Sequence, residues 1–374
     1  MAGLYIHIPF CRQACIYCDF HFTISGHYQQ DLCAALSKEL IYRKAEWQSQ
    51  SFQSVYFGGG TPSLLSAQQL EAILGAVYKH FKIEPDAEIT LEANPDDLSK
   101  EKLSSLRQLG INRLSIGVQS FRDEDLVFMN RTHRRNNTLH CLEDAMQIGF
   151  NNFTIDLIYG IPGLSDKAWE ENLQTAASLS INHLSCYSLT LEPATPYAGL
   201  VKKGRAAAPD EHQAAQQMQL LMDLAPALGF EQYEISNFAR NNAYSIHNSA
   251  YWKGTPYLGI GPSAHSFSGT SRRQNIARNQ AYIRALDAGE DAPHLLEELS
   301  ESTIYNELIY TGLRTIWGVN EENLAALGKQ HLEHFRQKIK PWLAQQLVEQ
   351  KQNTWVLNKA GFLLADRIAM ECFY

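Results

Sequence analysis

Residues 5–20 read YIHIPFCRQACIYCDF and place three cysteines within eight residues, directly after a short apolar run. Cys11, Cys15 and Cys18 follow the pattern C-x3-C-x2-C. A loop with this spacing can direct three thiolates at one face of a [4Fe-4S] cluster, whereas electron-transfer proteins normally supply four cysteines. The pattern therefore predicts a cluster with one iron left open, which the amine and carboxylate of a small molecule can chelate.

Two alternatives stay open at this point. The same three thiolates form a zinc site if His7 or His21 supplies a fourth ligand. Three free core cysteines are the other explanation. The spacing alone does not decide between them.

The length, composition and net charge are those of a large globular protein. The chain has 374 residues, of which 45% are hydrophobic and 19% charged, and its formal net charge is -8. This charge argues against a broadly basic surface, so we expect no nucleic-acid partner. No apolar run approaches the roughly 20 residues of a membrane-spanning helix, and the N-terminus does not resemble a secretory signal. Seven cysteines are an odd number that does not suggest a disulfide framework, so we expect a cytoplasmic protein with reduced thiols.

Short apolar runs alternate with longer amphipathic stretches over the first 200 residues. This alternation predicts a parallel sheet with right-handed helical crossovers. Six units are fewer than the eight of a closed barrel, so we predict an α/β fold with a partial (β/α)6 barrel over residues 1–200. The predicted strands are Leu4–Ile8, Ser54–Phe57, Glu88–Glu92, Arg113–Gly117, Phe153–Ile158 and Leu184–Leu189. The predicted helices are Gln29–Ala45, Gln68–His80, Lys100–Leu109, Thr138–Ile148 and Asp166–Ser178.

The regular alternation of strand and helix patterns ends after residue 200. Residues 201–295 are expected to form a connecting region with a linker, one helix over His212–Leu228, and loops with a short strand over Asn237–Gly269. Residues 296–374 are expected to form a mostly helical, winged-helix-like domain with a hairpin at Leu347–Leu357 and a last helix at Ala360–Met370. A winged-helix shape alone does not indicate DNA binding.

A second motif changes the interpretation of the cysteines. Gly58-Gly59-Gly60-Thr61-Pro62 follows the second predicted strand, and glycines allow a backbone to approach a ligand closely. Alone, this run is more simply a tight turn. The two motifs, however, fall at the ends of neighbouring strands, where a barrel gathers its ligand-binding loops. Together they favour an iron–sulfur cluster over zinc.

These motifs resemble those of the radical SAM superfamily, whose members bind S-adenosylmethionine (SAM) at a [4Fe-4S] cluster. The segments YIHIPFC, GVQSF, MNRTH and IDLIYGIPG resemble more narrowly its coproporphyrinogen III oxidase-like branch, over essentially the whole chain. The resemblance implies a partial TIM-type barrel with an additional C-terminal domain. It also implies that reduction of the cluster allows an electron to enter the sulfonium of SAM and release a radical.

The resemblance also implies a set of SAM-binding residues. Gly59, Gly60 and Thr61 are expected to bind the methionyl end of SAM, and Tyr5 to pack near the cluster and SAM. Four polar residues at or near strand ends complete the set: Glu92, Gln119, Arg131 and Asp156. The strand predictions independently place Glu92, Gln119 and Asp156 on or just beyond strands, although each alone is no more than an ordinary strand-end polar group.

Three features depart from the oxidases. The oxidases carry a fourth cysteine two residues after the third, where this chain has Phe20, and they have a longer segment before the cysteines. His247-Asn248-Ser249-Ala250-Tyr251-Trp252 matches the H-N-x-x-Y-W motif of a sister group, the HemW-type heme chaperones. A loop histidine can ligate heme iron beside aromatic faces, so His247 is a hypothetical heme ligand. The alternative is a packing anchor with His247 capping a turn.

Weaker signals complete the set. Gly259–His265 resembles a glycine loop of the same family, expected to face SAM or porphyrin, although such a loop is a weak signal alone. Small core residues are the expected role of the remaining cysteines, Cys33, Cys141, Cys186 and Cys372.

The predicted function is a heme chaperone, cytoplasmic or peripheral to the membrane. It is expected to bind heme, a [4Fe-4S] cluster and SAM, and to pass heme to apo respiratory proteins. The open iron also suggests homodimerisation through the cluster. The alternatives are an oxygen-independent coproporphyrinogen III oxidase or another radical SAM enzyme of tetrapyrroles, and a zinc-stabilised winged-helix binding protein.

Overall fold

The structure, a computed structural model, describes residues 1–374. Its strands and helices alternate through the first half of the chain and become irregular in the second. The strands are β1 (Ala2–Ile8), β2 (Ser51–Gly59), β3 (Lys82–Ala93), β4 (Arg113–Gln119), β5 (Phe153–Tyr159), β6 (His183–Ser188), β7 (Glu231–Gln232), β8 (Asn237–Ala239), β9 (Tyr257–Ile260), β10 (His265–Phe267), β11 (Ser271–Asn275), β12 (His294–Glu298), β13 (Val319–Asn320), β14 (Val348–Lys351) and β15 (Thr354–Leu357).

Most helices lie between successive strands. They are α1 (Gln29–Arg43), α2 (Ala67–His80), α3 (Lys100–Gln108), α4 (Asp123–Phe128), α5 (Arg135–Gln147), α6 (Asp166–Ser178), α7 (Pro196–Lys202), α8 (Glu211–Leu224), α9 (Ile246–Trp252), α10 (Asn279–Asp287), α11 (Glu301–Leu313), α12 (Glu321–Leu327), α13 (Lys329–Ala344), α14 (Lys359–Phe362) and α15 (Ala365–Glu371).

Strands β1 to β6 are parallel and lie in chain order, each hydrogen-bonded to the next. This confirms the predicted α/β class and the six-stranded partial barrel. Alternation along each strand separates two faces. In β1, Leu4, Ile6 and Ile8 are fully buried and belong to the hydrophobic core, whereas Tyr5 and His7 form part of the polar interior of the barrel.

Helix start signals explain why the crossovers begin where they do. Ser66 caps α2 in a capping box with Gln69, and Ser99 and Ser165 cap α3 and α6 through their side-chain oxygens. Each cap satisfies a backbone N–H that has no partner inside the helix. The crossovers therefore begin close to their predicted positions.

The sheet does not close, and it extends beyond the six predicted strands. Its order is β12-β11-β10-β9-β1-β2-β3-β4-β5-β6-β8-β7. The expectation of loops with one short strand over residues 237–269 was therefore wrong, because β8, β9 and β10 lie there. The boundary predicted at residue 296 falls inside β12, and the first C-terminal helix starts at Glu301.

Helix α9 closes the bottom of the barrel, at the N-terminal ends of the strands. The buried carboxylate of Glu88, on β3, accepts hydrogen bonds from the backbone N–H groups of Ile246 and His247, each at 3.0 Å, and from the Ser245 hydroxyl at 3.3 Å. An acidic group at a helix N-terminus satisfies unpaired N–H groups and matches the helix dipole. The Arg113 side chain lies 3.5 Å from the same carboxylate.

The C-terminal domain contains α11 to α15 and a small sheet of order β13-β15-β14. The predicted mostly helical character and the β14–β15 hairpin are confirmed. The single last helix predicted for residues 360–370 is wrong, since α14 ends at Phe362 and α15 begins at Ala365. A Cβ at Gly361 would lie 2.1 Å from the Leu347 carbonyl oxygen, so α14 is pressed against the hairpin and does not continue straight into α15.

No helix combines the length and the apolar character that crossing a membrane requires.

Candidate functional site

The cysteine loop follows β1 and is fixed to the rest of the barrel by hydrogen bonds. The backbone N–H of Cys11 donates to the Thr23 carbonyl at 2.9 Å. The Gln13 side chain donates to the Asn130 carbonyl, and the Asn130 side chain donates to the Ala14 carbonyl, both at 2.8 Å. The loop is therefore held in place on both sides by protein contacts, and its three thiols are partly exposed.

The GGGTP segment lies directly against this loop. The N–H of Gly60 donates to the Ile8 carbonyl at 2.8 Å, and that of Thr61 donates to the Phe10 carbonyl at 2.7 Å. A Cβ at Gly60 would lie 2.7 Å from the Phe10 carbonyl oxygen, closer than atoms tolerate. Gly59 has φ of +108°, and a Cβ there would lie 2.5 Å from the His7 ring. Glycine is thus required at both positions for the two segments to meet.

Two side chains donate hydrogen bonds to cysteine sulfurs. The Thr61 hydroxyl lies 3.5 Å from Cys11 Sγ, and Arg131 Nη1 lies 3.2 Å from Cys15 Sγ. Burial raises the pKa of the Cys11 thiol and raises that of Cys18 to about 11. Thiolates at these positions therefore need a positively charged partner such as iron.

A zinc site would need His7 or His21 as its fourth ligand, and the hydrogen bonds of both histidines argue against this role. His7 Nε2 lies 2.9 Å from the His21 carbonyl oxygen and Nδ1 lies 3.1 Å from the Tyr5 hydroxyl. His21 Nε2 is hydrogen-bonded to Asn279 at 2.7 Å. No three His, Cys, Asp or Glu side chains are gathered to hold a single metal ion. A cubane, in contrast, binds each thiolate at a separate iron, which suits three thiols spread along a loop.

The predicted SAM residues line the upper interior of the barrel. Glu92 accepts hydrogen bonds from the Tyr56 hydroxyl at 2.8 Å and from the Gly59 N–H at 3.1 Å. Gln119 ends β4 with φ of +67°, and its side-chain nitrogen would lie 2.8 Å from a Cβ at Gly117. The side chain of Gln119 therefore lies against the strand end that also receives Arg131, which donates to the Gly117 carbonyl at 2.9 Å.

The interior carries two carboxyl groups with raised pKa values. Burial, and next the charge of Asp156, raise the pKa of Glu92 to about 7, although the Tyr56 hydrogen bond opposes this. Burial raises the pKa of Asp156 to about 6, against the hydrogen bond with Ser185 and the nearby charges of Arg113 and Arg131. Both carboxylates would be stabilised by a cationic ligand between them.

His247 lies one layer below these residues. It is 2% exposed, its Nδ1 lies 2.9 Å from the Ser54 hydroxyl, and its Nε2 lies 2.9 Å from the Tyr251 hydroxyl. Burial, and next the charge of Arg113, lower its pKa to about 3. The expected loop is helix α9, and both ring nitrogens have partners. Heme ligation by His247 stays a prediction, and it would require only the ligating ring nitrogen to give up its hydrogen bond.

A second face of α9, its outer face, lines a cavity of about 250 Å³. Asn248 and Trp252 lie on this face, four residues apart and therefore on the same side of the helix. The cavity is also lined by residues that the sequence did not indicate, among them Tyr187 at the end of β6 and the buried Glu234. Within the H-N-x-x-Y-W motif, His247 is directed into the barrel, whereas Asn248, Tyr251 and Trp252 all line the cavity on the outer face of α9.

Two weaker expectations have clear outcomes. The four remaining cysteines, Cys33, Cys141, Cys186 and Cys372, are free and buried, as expected. In the segment Gly259–His265, a Cβ at Gly259 would meet the His265 carbonyl oxygen at 1.9 Å, and one at Gly261 the His7 carbonyl oxygen at 2.7 Å. Gly259 thus allows β9 to lie against β10, and Gly261 allows the segment after β9 to lie against β1. Contact of this segment with SAM or porphyrin stays a prediction.

Comparisons with known proteins agree with this geometry. Residues 5–176 match the radical SAM superfamily, and residues 299–364 match the HemN C-terminal domain. The structure of coproporphyrinogen III oxidase (HemN) from Escherichia coli, a radical SAM enzyme, superposes with a TM-score of 0.85 at 25% identity, over 100% of this chain and 90% of that one. Fold and site therefore define a radical SAM protein of the HemN type.

Relatives that match this chain over almost its full length show which family within this class it belongs to. Heme chaperone HemW of Bacillus subtilis (strain 168) is 36% identical over 98% of this chain and 98% of its own length. Heme chaperone HemW of Mycobacterium tuberculosis (strain ATCC 25618 / H37Rv) is 34% identical over 98% and 93%. The mitochondrial radical S-adenosyl methionine domain-containing protein 1 of Bos taurus is 32% identical over 99% and 84%. The chain belongs to the HemW family of radical SAM proteins.

The contact between the two motifs gives a first prediction. Gly60→Ala is expected to push the cysteine loop away, because the new methyl group would collide with the Phe10 carbonyl 2.7 Å away. After anaerobic reconstitution, iron content and SAM affinity should both fall, by roughly tenfold or more. Gly75→Ala is the matched control, because a Cβ at that helical position meets nothing within 4 Å. Equal iron content in the two variants would show that the close approach is not needed.

The raised pKa values of Glu92 and Asp156 give a second prediction. SAM carries a sulfonium, and its amine is neutral when it binds the open iron, so the sulfonium is the charge that favours binding when these carboxyl groups are ionised. Its affinity should rise as the pH increases through about 6 and about 7, and then level off. A ligand that lowers one such pKa by a single unit changes affinity about tenfold across this range.

Equilibrium dialysis of SAM against the reconstituted protein at several pH values measures this effect. Glu92→Gln should remove the part of the dependence near neutral pH, whereas Glu101→Gln, at an exposed position on α3, should not change it. An unchanged pH profile in Glu92→Gln contradicts the assignment.

Proposed function

We propose that this protein is a heme chaperone that binds heme, a [4Fe-4S] cluster and SAM, and that delivers heme to apo forms of respiratory heme proteins. One observation carries the distinction from the oxidases. The position two residues after Cys18 holds Phe20, which is 69% exposed and offers no thiolate. Full-length similarity to proteins named heme chaperone HemW supports the same conclusion.

The cluster in this proposal is held by Cys11, Cys15 and Cys18. When bound, it supplies a single electron and an open iron for the methionyl amine and carboxylate of SAM. The glycine backbone of residues 59 and 60 lets SAM approach closely, and Thr61 lies beside Cys11. Glu92, Asp156 and Gln119 face the interior where the rest of SAM would lie, Tyr5 packs beside Gly58, and Arg131 spans the loop and β4.

The heme site in this proposal is the cavity beside the outer face of α9. Trp252 and Tyr187 provide aromatic surface there, and Tyr187 is 43% exposed. Flat aromatic faces with a few polar groups are the usual lining of a site for a large planar ligand. The cavity accommodates part of a porphyrin, and the remainder would extend outward, where a recipient protein can reach it.

The proposed heme recipients determine where in the cell this protein is expected to act. We propose a cytoplasmic location with peripheral contact to the membrane where respiratory apoproteins assemble. Because one iron lacks a protein ligand, we also propose that two copies associate through their clusters when SAM does not occupy that iron.

A second function has one specific observation in its favour. The superposition on the E. coli coproporphyrinogen III oxidase covers the whole chain. Oxygen-independent oxidation of coproporphyrinogen III, or radical chemistry on another tetrapyrrole, is therefore the competing proposal.

The two proposals are separated by one reaction, which is the third prediction. The reconstituted protein is incubated anaerobically with SAM, a reductant and coproporphyrinogen, with the E. coli oxidase as a positive control. We expect no protoporphyrinogen from this protein, but tight heme binding and transfer of heme to an apo nitrate reductase or quinol oxidase. Accumulation of protoporphyrinogen would defeat the chaperone assignment.

The two faces of α9 give the fourth prediction. Trp252→Ala should weaken heme binding, because it removes aromatic surface from the cavity. Heme ligation by His247 predicts that His247→Gln shifts the heme absorption spectrum, because the substitution removes the imidazole that would bind the iron. Heme titrations followed by visible absorption measure both effects. An unchanged Soret band in His247→Gln, with unaltered circular dichroism, would remove His247 as an iron ligand.

A further inference from the structure

Asn94 lies immediately after β3 and connects three segments of the cysteine site. Pro95 follows it, which favours an extended backbone for the preceding residue, and Asn94 has φ of -93° and ψ of 147°. Its backbone N–H donates to the Ser63 hydroxyl at 3.4 Å. The side chain is half-buried and points toward Thr61 and Arg131. The backbone is therefore fixed, and the amide is presented in one direction.

The orientation of this amide follows from its partners. Arg131 is only a donor, so the oxygen of Asn94 must face it, and Oδ1 accepts from Nη2 at 2.5 Å. The amide nitrogen is then left to donate to the Thr61 hydroxyl oxygen at 3.3 Å. Because that oxygen already accepts a hydrogen bond, the proton of the hydroxyl is free to point at Cys11 Sγ, 3.5 Å away.

The second partner is held in the same way. Arg131 Nη2 is fixed by Asn94 and by the Gly117 carbonyl at 2.9 Å, and this fixes the plane of the guanidinium. In that plane Nη1 lies 3.2 Å from Cys15 Sγ. One amide therefore orients the donors of two different sulfurs, although it contacts neither sulfur itself.

We infer that Asn94 is a positioning residue that aims the Thr61 hydroxyl at Cys11 and the Arg131 guanidinium at Cys15, and thereby raises the reduction potential of the cluster. Hydrogen bonds to cluster sulfurs stabilise the more negative, reduced state, and partners of this kind tune a metal centre as the ligands do. The inference rests on the proposed function in one respect, the presence of a [4Fe-4S] cluster on these cysteines.

The test is a redox titration of the reconstituted protein without SAM, followed by electron paramagnetic resonance. Asn94→Ala should lower the reduction potential because both donors lose their orientation. We expect the equilibrium constant for reduction to fall about tenfold, which corresponds to about 59 mV for one electron. Asn151→Ala, at an exposed position before β5, is the matched control and should leave the potential unchanged.

A double-mutant cycle separates positioning from a general disturbance. Thr61→Val removes the hydroxyl donor itself and should also lower the potential. If Asn94 acts partly through Thr61, the double variant should fall by less than the sum of the two single changes. An unchanged potential in Asn94→Ala, or strictly additive changes in the cycle, would overturn the inference.

If Asn94→Ala does not retain iron, Asn94→Asp is the second variant that tests the inference. It keeps an acceptor for Arg131 but cannot donate to Thr61, whose hydroxyl then turns away from Cys11 toward the carboxylate. Its effect on the potential should be smaller in the Thr61→Val background, and an equal effect there would overturn the inference. Failure of the unsubstituted protein to assemble any cluster would instead overturn the proposed cofactor, and the inference with it.

Discussion

Two backbone hydrogen bonds join the ends of the first two strands, from Gly60 to the Ile8 carbonyl and from Thr61 to the Phe10 carbonyl. They form only because the chain carries no Cβ at Gly60, where a methyl group would lie 2.7 Å from the Phe10 oxygen. This contact places a hydroxyl next to Cys11. It also leaves the Gly59 N–H directed at Glu92, on the neighbouring strand. The rest of the site is arranged around this one approach of two backbones.

The parts of the fold that the sequence predicts are those whose signals are local. Leu4, Ile6 and Ile8 alternate with polar residues, and this pattern identifies β1 without any knowledge of its neighbours. The strand predictions place Glu92 and Gln119 at the carboxyl ends of parallel strands, where ligands gather, and the family resemblance adds the expected contact with SAM.

The parts that the sequence does not predict depend on distant partners. Helix α9 has only seven residues, and its N-terminus is stabilised by Glu88, which precedes it by more than 150 residues. Strand β11 reads SRRQN and has no apolar alternation, so its place in the sheet depends on pairing with β10 and β12. Asn94 follows Glu92 by two residues, and yet its role depends on Thr61 and Arg131, which no local pattern connects to it.

The interior of the barrel contains buried carboxylates in two contrasting states. At the floor, Glu88 accepts three hydrogen bonds from the start of α9 and lies beside Arg113. Higher up, Glu92 has two donors, and the charge of Asp156 opposes its ionisation, so that its pKa rises to about 7. The Glu88 carboxylate thus has its donors and its counter-charge within the protein, whereas the upper carboxylates would gain stability from a cation that the protein does not itself supply. A sulfonium ligand between the cysteine loop and Asp156 would meet that requirement. The polar floor beneath it keeps α9 in a fixed position below the site, and with α9 the outer face of the H-N-x-x-Y-W motif.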